Sequence, residues 1–338
     1  MDEGRFKEIT AGYARLRVVV AGDFCLDRYL EIDPALAETS LETGLPVHQV
    51  VNVRPQGGGA GNVLANVAAA APRSLAAVGV AGDDGEGYEL ARVLAELGAS
   101  LDGFVRRPER HTFTYTKPLL VRPGQAPEEL SRLDIKDHEP MGPELAARVI
   151  DNLRAAASAA DVLILMDQAP VTANGVLSGE VKRAVAEWSR QGGSAGKTVI
   201  ADSRTDIGGF AGVDIKVNEP EVRRHFGDER TAAEELAGRW SAEIGRRVFV
   251  TLGPDGMVGA APDGQVQRAA GVPVTGEIVI VGAGDSVLAH LALALAAGAS
   301  VAEAITLANL AGSIVVRKIG TTGTATIEEL REAMGSMA

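Results

Sequence analysis

The sequence contains a single cysteine, Cys25, among 338 residues, so no disulfide can form within the chain. Scarce cysteine is typical of proteins that work in a reducing compartment, which favours a cytoplasmic location. A cysteine nucleophile needs an activating partner, and the sequence shows none near Cys25. We therefore interpret Cys25 as a packed thiol.

The sequence also lacks any run of about 18 or more apolar residues, which a membrane-spanning helix would need. The N-terminal segment Met1-Asp2-Glu3-Gly4-Arg5 is not a signal peptide. The formal net charge of −12 argues against broad binding to nucleic acid or to anionic membranes. A phosphorylated substrate would therefore need a local cluster of cations. None of the five histidines has the spacing of a metal site.

Continuous apolar runs alternate with helical patterns along the chain. The predicted strands cover residues 16–21, 74–80, 162–166, 198–201, 214–217, 247–252 and 278–281. The predicted helices cover residues 62–71, 88–97, 145–157, 179–190, 231–244, 286–297 and 301–319. This alternation predicts an α/β fold with a mostly parallel central sheet that is flanked by helices on both faces.

Two segments, at about 28–54 and 110–133, show the strict apolar–polar alternation of half-buried strands instead. They predict a small antiparallel β lid on the α/β body. The sequence contains no internal repeat and no linker long enough to separate a second unit. We therefore predict a single domain over residues 1–338.

The most informative motif is Val281-Gly282-Ala283-Gly284-Asp285-Ser286, where the predicted strand passes into a helix. Free N–H groups and the helix dipole hold an anion at such a point, and the glycines allow a close approach. Asp285 would repel a bound phosphate. It is suited, however, to take the proton of a hydroxyl group that attacks the phosphate. The alternative is a simple N-cap aspartate after a glycine-rich turn.

Two other glycine-rich segments are not nucleotide motifs. Residues 192–198 resemble a Walker A loop, but the spacing is one residue short and a helix precedes the loop instead of a strand. Residues 57–61 lack the third spaced glycine of a dinucleotide fingerprint. A Rossmann-type oxidoreductase is therefore disfavoured, and a non-catalytic sugar or nucleotide sensor remains a further alternative.

Three motifs occur in order along the chain: Gly58-Gly59-Ala60-Gly61-Asn62, Asn218-Glu219-Pro220-Glu221 and Gly282-Ala283-Gly284-Asp285. Together they resemble the signatures of the ribokinase-like (PfkB) carbohydrate kinases, and the similarity runs from about Leu16 to Met334. Within this family, four segments are similar to the heptose-phosphate kinase module of ADP-heptose synthesis. These segments are 20–29, Thr116-Lys117, Ser131-Arg132-Leu133-Asp134 and the C-terminal stretch 307–321, which begins with Leu307-Ala308-Asn309 and ends with Lys318-Ile319-Gly320-Thr321.

The resemblance implies that Asp285 is the base that deprotonates a sugar hydroxyl. Gly282, Ala283 and Gly284 would form the anion hole for the transferred phosphoryl group, a reaction that needs mainly positioning and charge stabilisation. The sugar pocket would be formed by Asp27, Gly58, Gly59 and Asn62. An ionised carboxylate such as Asp27 accepts two hydroxyl donors well. The alternatives are a surface turn at Asp27 and a plain glycine-rich helix start at the glycines.

The resemblance also implies ATP and Mg²⁺ as cofactors. Asn218 and Glu221 would order Mg²⁺ through water, since this ion keeps several waters in proteins. The alternative for this pair is a turn and helix start. The other residues implied at the nucleotide are Asp202, Arg204, Thr251, Gly253, Gly256 and Asn309. Arg204 could equally be an exposed loop cation, and Asn309 a helix residue packed against a loop.

Two departures from the family pattern bear on the substrate and on ion activation. Val279 and Ile280 stand where the family usually has Asp-Thr, which leaves activation by a monovalent cation open. The lysine that heptose kinases carry after a central strand is absent following Asp167. Asp167 and Gln168 suit neutral hydroxyl groups better than a phosphate.

The substrate predicted by resemblance is a sugar or sugar phosphate, with a heptose phosphate favoured. Lys117 and Arg132 are the candidate cations for a substrate phosphate, and flap-surface charge is the alternative for both. A neutral-sugar kinase of the same family is the other possibility. The exposed strand edges of the lid predict a homodimer in which two lids pack together, as in related kinases.

Overall fold

The strands of the main sheet are apolar on both faces because both faces are buried. Val18 and Val20 of the first strand belong to one buried cluster, whereas Val19 and Ala21 belong to a second cluster on the opposite face. Successive side chains of a strand point to opposite faces, so unbroken apolar runs indicate a sheet covered on both sides. The computed structural model describes residues 1–319 and 322–335.

The strands are β1 (Arg17–Gly22), β2 (Phe24–Ile32), β3 (Glu38–Thr39), β4 (Pro46–Val47), β5 (Val50–Gly59), β6 (Ser74–Gly82), β7 (Ala99–Arg107), β8 (Thr114–Leu120), β9 (Glu128–Glu129), β10 (Leu133–Ile135), β11 (Val162–Asp167), β12 (Thr198–Ser203), β13 (Asp214–Asn218), β14 (Val248–Thr251), β15 (Gly256–Ala260) and β16 (Val266–Ala270). The helices are α1 (Glu3–Tyr13), α2 (Ala60–Ala69), α3 (Gly85–Glu96), α4 (Pro143–Ala159), α5 (Gly179–Arg190), α6 (Glu219–Phe226), α7 (Ala233–Ile244), α8 (Ala283–Ala296), α9 (Val301–Val315) and α10 (Ile327–Gly335).

The main sheet has nine strands in the order β7-β6-β1-β11-β12-β13-β14-β15-β16. All neighbours from β7 to β14 pair in parallel, and only β15 and β16 run antiparallel to their partners. One face is covered by helices that include α1, α2, α8 and α9, and the other by α4, α5, α6 and α7. The predicted α/β fold with a mostly parallel sheet is confirmed.

A second, smaller sheet has the order β10-β8-β2-β5, with β9 paired to β8. Its strands lie largely within the two segments predicted for the lid, 28–54 and 110–133, although β2 already begins at Phe24, β5 runs on to Gly59 and β10 to Ile135. Its pairings are antiparallel except for β2 with β8, which is parallel. Only Asp23 separates β1 from β2, so the small sheet starts directly at the end of a central strand of the main sheet.

The strand predicted at 278–281 is wrong. This segment joins no sheet, its last residue Val281 begins a turn, and Ile278, Ile280 and Val281 are at least half exposed. Val279 N donates a hydrogen bond to Val316 O just after α9, and Ile280 O accepts one from Ala283 N. Four apolar residues in a row do not make a strand when the segment pairs with no strand edge.

The predicted helix 301–319 is also shorter in the structure and ends at Val315. Gly320 and Thr321, at the end of one of the resembling segments, lie outside the described residues. In the part of the chain that the structure describes, no helix is both long and apolar enough to cross a membrane.

Candidate active site

Polar residues stand at the carboxyl ends of neighbouring strands in the main sheet. Asp167 ends β11, Arg204 follows β12, Asn218 ends β13 and Thr251 ends β14. In open parallel sheets the crevice outside these strand ends is the usual ligand site. The small sheet also begins at this end, because β1 continues through Asp23 into β2. The crevice therefore lies where both sheets meet.

The predicted anion-binding turn is at the N-terminus of α8. Gly282 caps the helix with a φ of 82°, a left-handed conformation that glycine adopts without strain. Ala283 N donates to Ile280 O at 3.3 Å. The next N–H groups, of Gly284 and Asp285, have no acceptor within the helix, so with the helix dipole they favour an anion. Residues 286–295 of α8 are buried and fix the position of this turn. The structure thus places Gly282, Ala283 and Gly284 at a rigid helix N-terminus.

Asp285, the predicted base, lies in the first turn of α8. Its Oδ2 accepts a hydrogen bond from the side-chain amide of Asn62 on α2, at 2.9 Å. Burial raises the pKa of Asp285 to about 6, although the Asn62 hydrogen bond opposes this shift. The charge of Asp202 raises the pKa further, whereas Lys216 and Arg204 lower it. A carboxyl group with a pKa near neutrality can accept and later release a proton.

Lys216 was missed by the sequence analysis. It lies inside β13, is almost fully buried and forms an ion pair with Asp202 at 2.5 Å. A Cβ atom added to Gly284 would lie 3.3 Å from Lys216 Nζ, so this ammonium group faces the anion-binding turn. Burial acts to lower the pKa of Lys216, but Asp202 outweighs it and the pKa is raised. Lys216 is therefore a charged group directly beside the turn.

Asp202, which the resemblance placed at the nucleotide, is committed to this ion pair. The sequence contains one signal for this ion pair. A lysine within the apolar strand Asp214-Ile215-Lys216-Val217 must find a buried partner of opposite charge. Arg204 lies nearby, on the turn after β12, and its side chain is exposed. Its charge lowers the pKa of Asp285. Lys216 and Arg204 thus bring two cationic groups to the crevice, and Lys216 is paired with Asp202.

The predicted sugar residues come together between β2, β5 and α2. Gly58 lies opposite Cys25 in the β2–β5 pairing, and a Cβ atom there would lie 2.7 Å from Cys25 Sγ and 3.0 Å from Asp27 Oδ2. Gly59 has a φ of 58°, and a Cβ atom there would lie 2.5 Å from the carbonyl oxygen of Asp23. These glycines are therefore required for β5 to approach Asp27. Asn62 follows on the first turn of α2.

Asp27 is buried and forms an ion pair with Lys117 of β8, with 3.2 Å between Oδ1 and Nζ. Burial raises the pKa of Asp27, while Lys117 opposes the shift. Lys117 also lies 3.3 Å from the hydroxyl oxygen of Tyr29. The two predicted substrate residues are thus adjacent, and each neutralises the charge of the other.

Arg132 is near this pair but more exposed. Its guanidinium binds Asp134 through two hydrogen bonds, of 2.7 and 2.9 Å, and lies 4.8 Å above the ring of Tyr115. Its positive charge lowers the pKa of Asp27. Arg132 therefore lies at the rim of the site, and its guanidinium is already paired with the carboxylate of Asp134.

The prediction that Asp167 contacts the sugar is corrected by the structure. Asp167 is fully buried, and its carboxylate is bound to Lys182 Nζ at 2.8 Å and to Ser203 Oγ at 2.7 Å. It has no exposed surface to offer to a substrate. Lys182 comes from α5, the next α-helix along the chain, and no local pattern in the sequence indicates this pair.

Asn218 and Glu221 form a capping box at the start of α6. Asn218 Oδ1 accepts from Glu221 N at 2.9 Å, and Glu221 Oε2 accepts from Asn218 N at 2.8 Å. The turn-and-helix-start alternative is therefore present, and both side chains remain partly accessible. An amide and a carboxylate are oxygen donors of the kind that Mg²⁺ uses. No group of three or more acidic, histidine or cysteine ligands occurs within residues 1–319 and 322–335.

The remaining predicted nucleotide residues lie at the far side of the crevice. Thr251 Oγ1 donates to Val217 O at 3.3 Å, and Asn309 Nδ2 donates to Ala270 O at 2.6 Å. Gly253 has a φ of 59° and open space around it. At Gly256 a Cβ atom would lie 2.1 Å from Ala269 O, so this glycine is required by the fold itself. Asn309 of α9 thus binds the last residue of β16, and its contact with the nucleotide stays a prediction.

The fold and the site define a ribokinase-like phosphotransferase. A family model described as pfkB family carbohydrate kinase matches residues 151–328, more than half of the chain. The chain belongs to the pfkB family of carbohydrate kinases. The matched residues include the Asp285 turn, the Asn218–Glu221 capping box and Lys216.

Curated relatives carry the name Bifunctional protein HldE. The protein from Caulobacter vibrioides is 35% identical over 331 residues, which cover 95% of this chain and 64% of the relative. The protein from Paramagnetospirillum magneticum is 33% identical over 315 residues, which cover 90% of this chain and 60% of the relative. The chain therefore spans less than two thirds of the length of these relatives.

Solved structures of the same fold include phosphofructokinase-2 from Escherichia coli in complex with potassium, with a TM-score of 0.73 and 19% identity. The match covers 95% of this chain and 99% of that chain. Arabidopsis thaliana ribokinase complexed with ribose and ATP has a TM-score of 0.66 and 20% identity, with the same two coverages. At this identity the likeness establishes the fold.

Proposed function

We propose that this kinase transfers the terminal phosphoryl group of ATP to a hydroxyl group of a sugar or sugar phosphate, with Asp285 as the general base. The observation that carries the proposal is the position of Asp285. A carboxyl group with a pKa of about 6 lies within an anion-binding helix N-terminus and is bound to Asn62. It can accept the hydroxyl proton while the turn holds the phosphoryl group.

The surrounding residues supply positioning and charge. Asp27 and Asn62 orient the acceptor sugar by hydrogen bonds to its hydroxyl groups. The N–H groups near Gly284, together with Lys216, balance the negative charge that develops on the transferred phosphoryl group. Arg204 contacts the phosphates of ATP from the turn after β12. These assignments follow from the short distances from Asn62 to Asp285 and from Lys216 to the turn.

Asn218 and Glu221 are the residues that would hold Mg²⁺, through its water ligands. The ion, when bound, neutralises charge on the phosphates of the nucleotide. Few direct protein ligands are needed for this, which agrees with the donor pair at the start of α6.

The proposed substrate is a phosphorylated heptose or a similar long sugar phosphate. This rests on the resemblance of the chain to heptose-phosphate kinase modules and on Arg132 and Lys117 near Asp27. A neutral sugar is the second candidate, and one specific observation favours it. Lys117 and Arg132 already have carboxylate partners, Asp27 and Asp134. A substrate phosphate would have to compete with these carboxylates for the two cations.

The small sheet is proposed to act as a lid over the sugar and to pair with the lid of a second copy in a homodimer. Its strands carry exposed apolar residues, among them Val51 and Val53 of β5 and Leu133 of β10. Exposed apolar surface on a strand edge favours association with another chain. The proposed location is cytoplasmic, where a single free cysteine remains reduced.

A coupled ADP-release assay with a panel of free sugars and sugar phosphates tests the proposal. Selective use of a phosphorylated sugar, with a KM that rises in Lys117→Ala or Arg132→Ala, would support the sugar-phosphate assignment. Preference for the free sugar, with both variants unchanged, would establish the neutral-sugar alternative. Absence of ADP with every acceptor would favour a non-catalytic binding protein.

A further inference from the structure

A buried ion pair lies directly beneath the crevice without opening into it. Lys182 of α5 is 2% exposed and Asp167 is fully buried, with 2.8 Å between Nζ and Oδ2. Lys182 Nζ also lies 4.7 Å from the centre of the Phe210 ring. An apolar pair of similar volume would often serve stability as well as a buried ion pair does. The pair is better explained by a main-chain turn that it holds in place.

That structure is the turn of residues 203–206 after β12. Lys182 Nζ donates to the carbonyl oxygen of Asp206 at 2.9 Å and to its carboxylate at 3.0 Å. Ser203 Oγ donates to Asp167 Oδ2 at 2.7 Å and accepts from Asp206 N at 3.0 Å. Arg204 N donates to Asp167 O at 3.0 Å. The main chain on both sides of Arg204 is therefore tied to the ion pair.

The side chain of Arg204 is exposed on this turn, at the carboxyl end of β12 where the crevice lies. Its charge lowers the pKa of both Asp285 on α8 and Tyr115 on β8, so the guanidinium acts electrostatically on groups from both sides of the crevice. A cation on a main chain that is already fixed loses less freedom when it binds a phosphate.

We propose that Lys182 is a positioning residue, which acts through Asp167, Ser203 and Asp206 to hold the turn that presents Arg204 to the phosphates of ATP. This inference rests on the proposed function, in which Arg204 contacts the nucleotide. Lys182 itself touches neither the nucleotide nor the sugar, because its ammonium group is enclosed by Asp167, Asp206 and Phe210.

A double-mutant cycle tests the inference, with the dissociation constant of ATP measured by calorimetry in the presence of Mg²⁺. Lys182→Met and Arg204→Gln should each weaken ATP binding, by about tenfold for a charge-assisted phosphate contact. The double variant should bind no more weakly than Arg204→Gln alone, because Lys182 acts only through Arg204. Losses that add, or an Arg204→Gln variant with normal affinity, would overturn the inference.

Arg247→Met is the matched control. It removes the partner of the buried Asp214, 2.6 Å away, at the opposite end of the sheet where β13 begins. Its stability should fall while its affinity for ATP stays at the wild-type value. An affinity loss in this control equal to that of Lys182→Met would show a general structural effect and overturn the inference.

Ser203→Ala provides a second route if Lys182→Met fails to fold. It removes two hydrogen bonds of the turn but keeps the ion pair, so ATP binding should weaken severalfold, and only when Arg204 is present. Normal ATP binding in Ser203→Ala, with Arg204→Gln impaired, would overturn the inference and leave the proposed function intact. A wild-type protein that does not bind ATP would overturn both.

Discussion

The chemistry of Asp285 depends on three neighbours that come from different parts of the chain. Burial raises the pKa of its carboxyl group to about 6, and the amide of Asn62 limits this rise by binding the ionised form. Lys216 and Arg204 also favour the ionised form. The proposed base is therefore ionised at neutral pH, yet its raised pKa suits it to accept a proton from a sugar hydroxyl group.

The pH dependence of activity follows from this balance. The protonated carboxyl group cannot act as a base, so kcat/KM should fall as the pH falls through about 6. Asn62→Ala removes a hydrogen bond to the ionised form. The pKa of Asp285 should then rise, and the loss of activity should begin at a higher pH than in the wild type. Profiles measured from about pH 5 to about pH 8 would contradict this account if both enzymes lost activity at the same pH.

At the scale of elements, the proposed sugar site depends on the close approach of β5 to β2. A Cβ atom at Gly58 would lie 2.7 Å from Cys25 Sγ and 3.0 Å from Asp27 Oδ2, closer than packed atoms tolerate. Asp27 can therefore keep its position beside Lys117 only if residue 58 is glycine. The glycine-rich segment serves the geometry of the small sheet as well as the start of α2.

Gly58→Ala should displace Asp27 and raise the KM for the sugar by about tenfold or more, with ATP affinity nearly unchanged. Gly61→Ala is the matched control in the same segment. A Cβ atom there would lie 3.7 Å from its nearest neighbour, an ordinary contact, and alanine favours the helix. Steady-state kinetics with both substrates measures the effect. Equal sugar KM values for Gly58→Ala and Gly61→Ala would refute this role of Gly58.

How much could be predicted from the sequence differs between elements. The parallel core strands were predicted because a sheet buried on both faces needs continuous apolar runs, as 162–166 shows. The segment 278–281 has the same composition but no partner strand, and pairing is a property of the whole sheet. Asp285 could be predicted from a local motif. Lys216 and Lys182 could not be placed, because their carboxylate partners lie on other elements.

At the scale of the whole molecule, the small sheet leaves apolar surface exposed on its edge strands. Val51 of β5 and Leu133 of β10 are 55% and 65% exposed, and both strands stand at the ends of the sheet order. Unprotected edges of this kind are normally covered or paired. In the proposed homodimer, the lid of a second copy would cover these edge strands.

The wild-type protein should be dimeric at micromolar concentration, and the variants Val51→Glu and Leu133→Glu should shift it to a monomer. A buried charge at each interface position opposes association. Val266→Glu, on the edge strand β16 of the main sheet, is a control that should stay dimeric. Light scattering after size-exclusion chromatography gives the mass. A wild-type protein that is a uniform monomer would rule out the lid dimer.

The central claim is that Asp285 is the base of a carbohydrate kinase, and the most direct test compares Asp285→Asn with the wild type on the preferred acceptor from the ADP-release panel. Asparagine keeps the shape of the side chain but cannot accept the proton. We predict that kcat falls by about a hundredfold or more, while the dissociation constant of ATP and the thermal stability stay close to wild type. Turnover within a few-fold of the wild-type rate would contradict the claim.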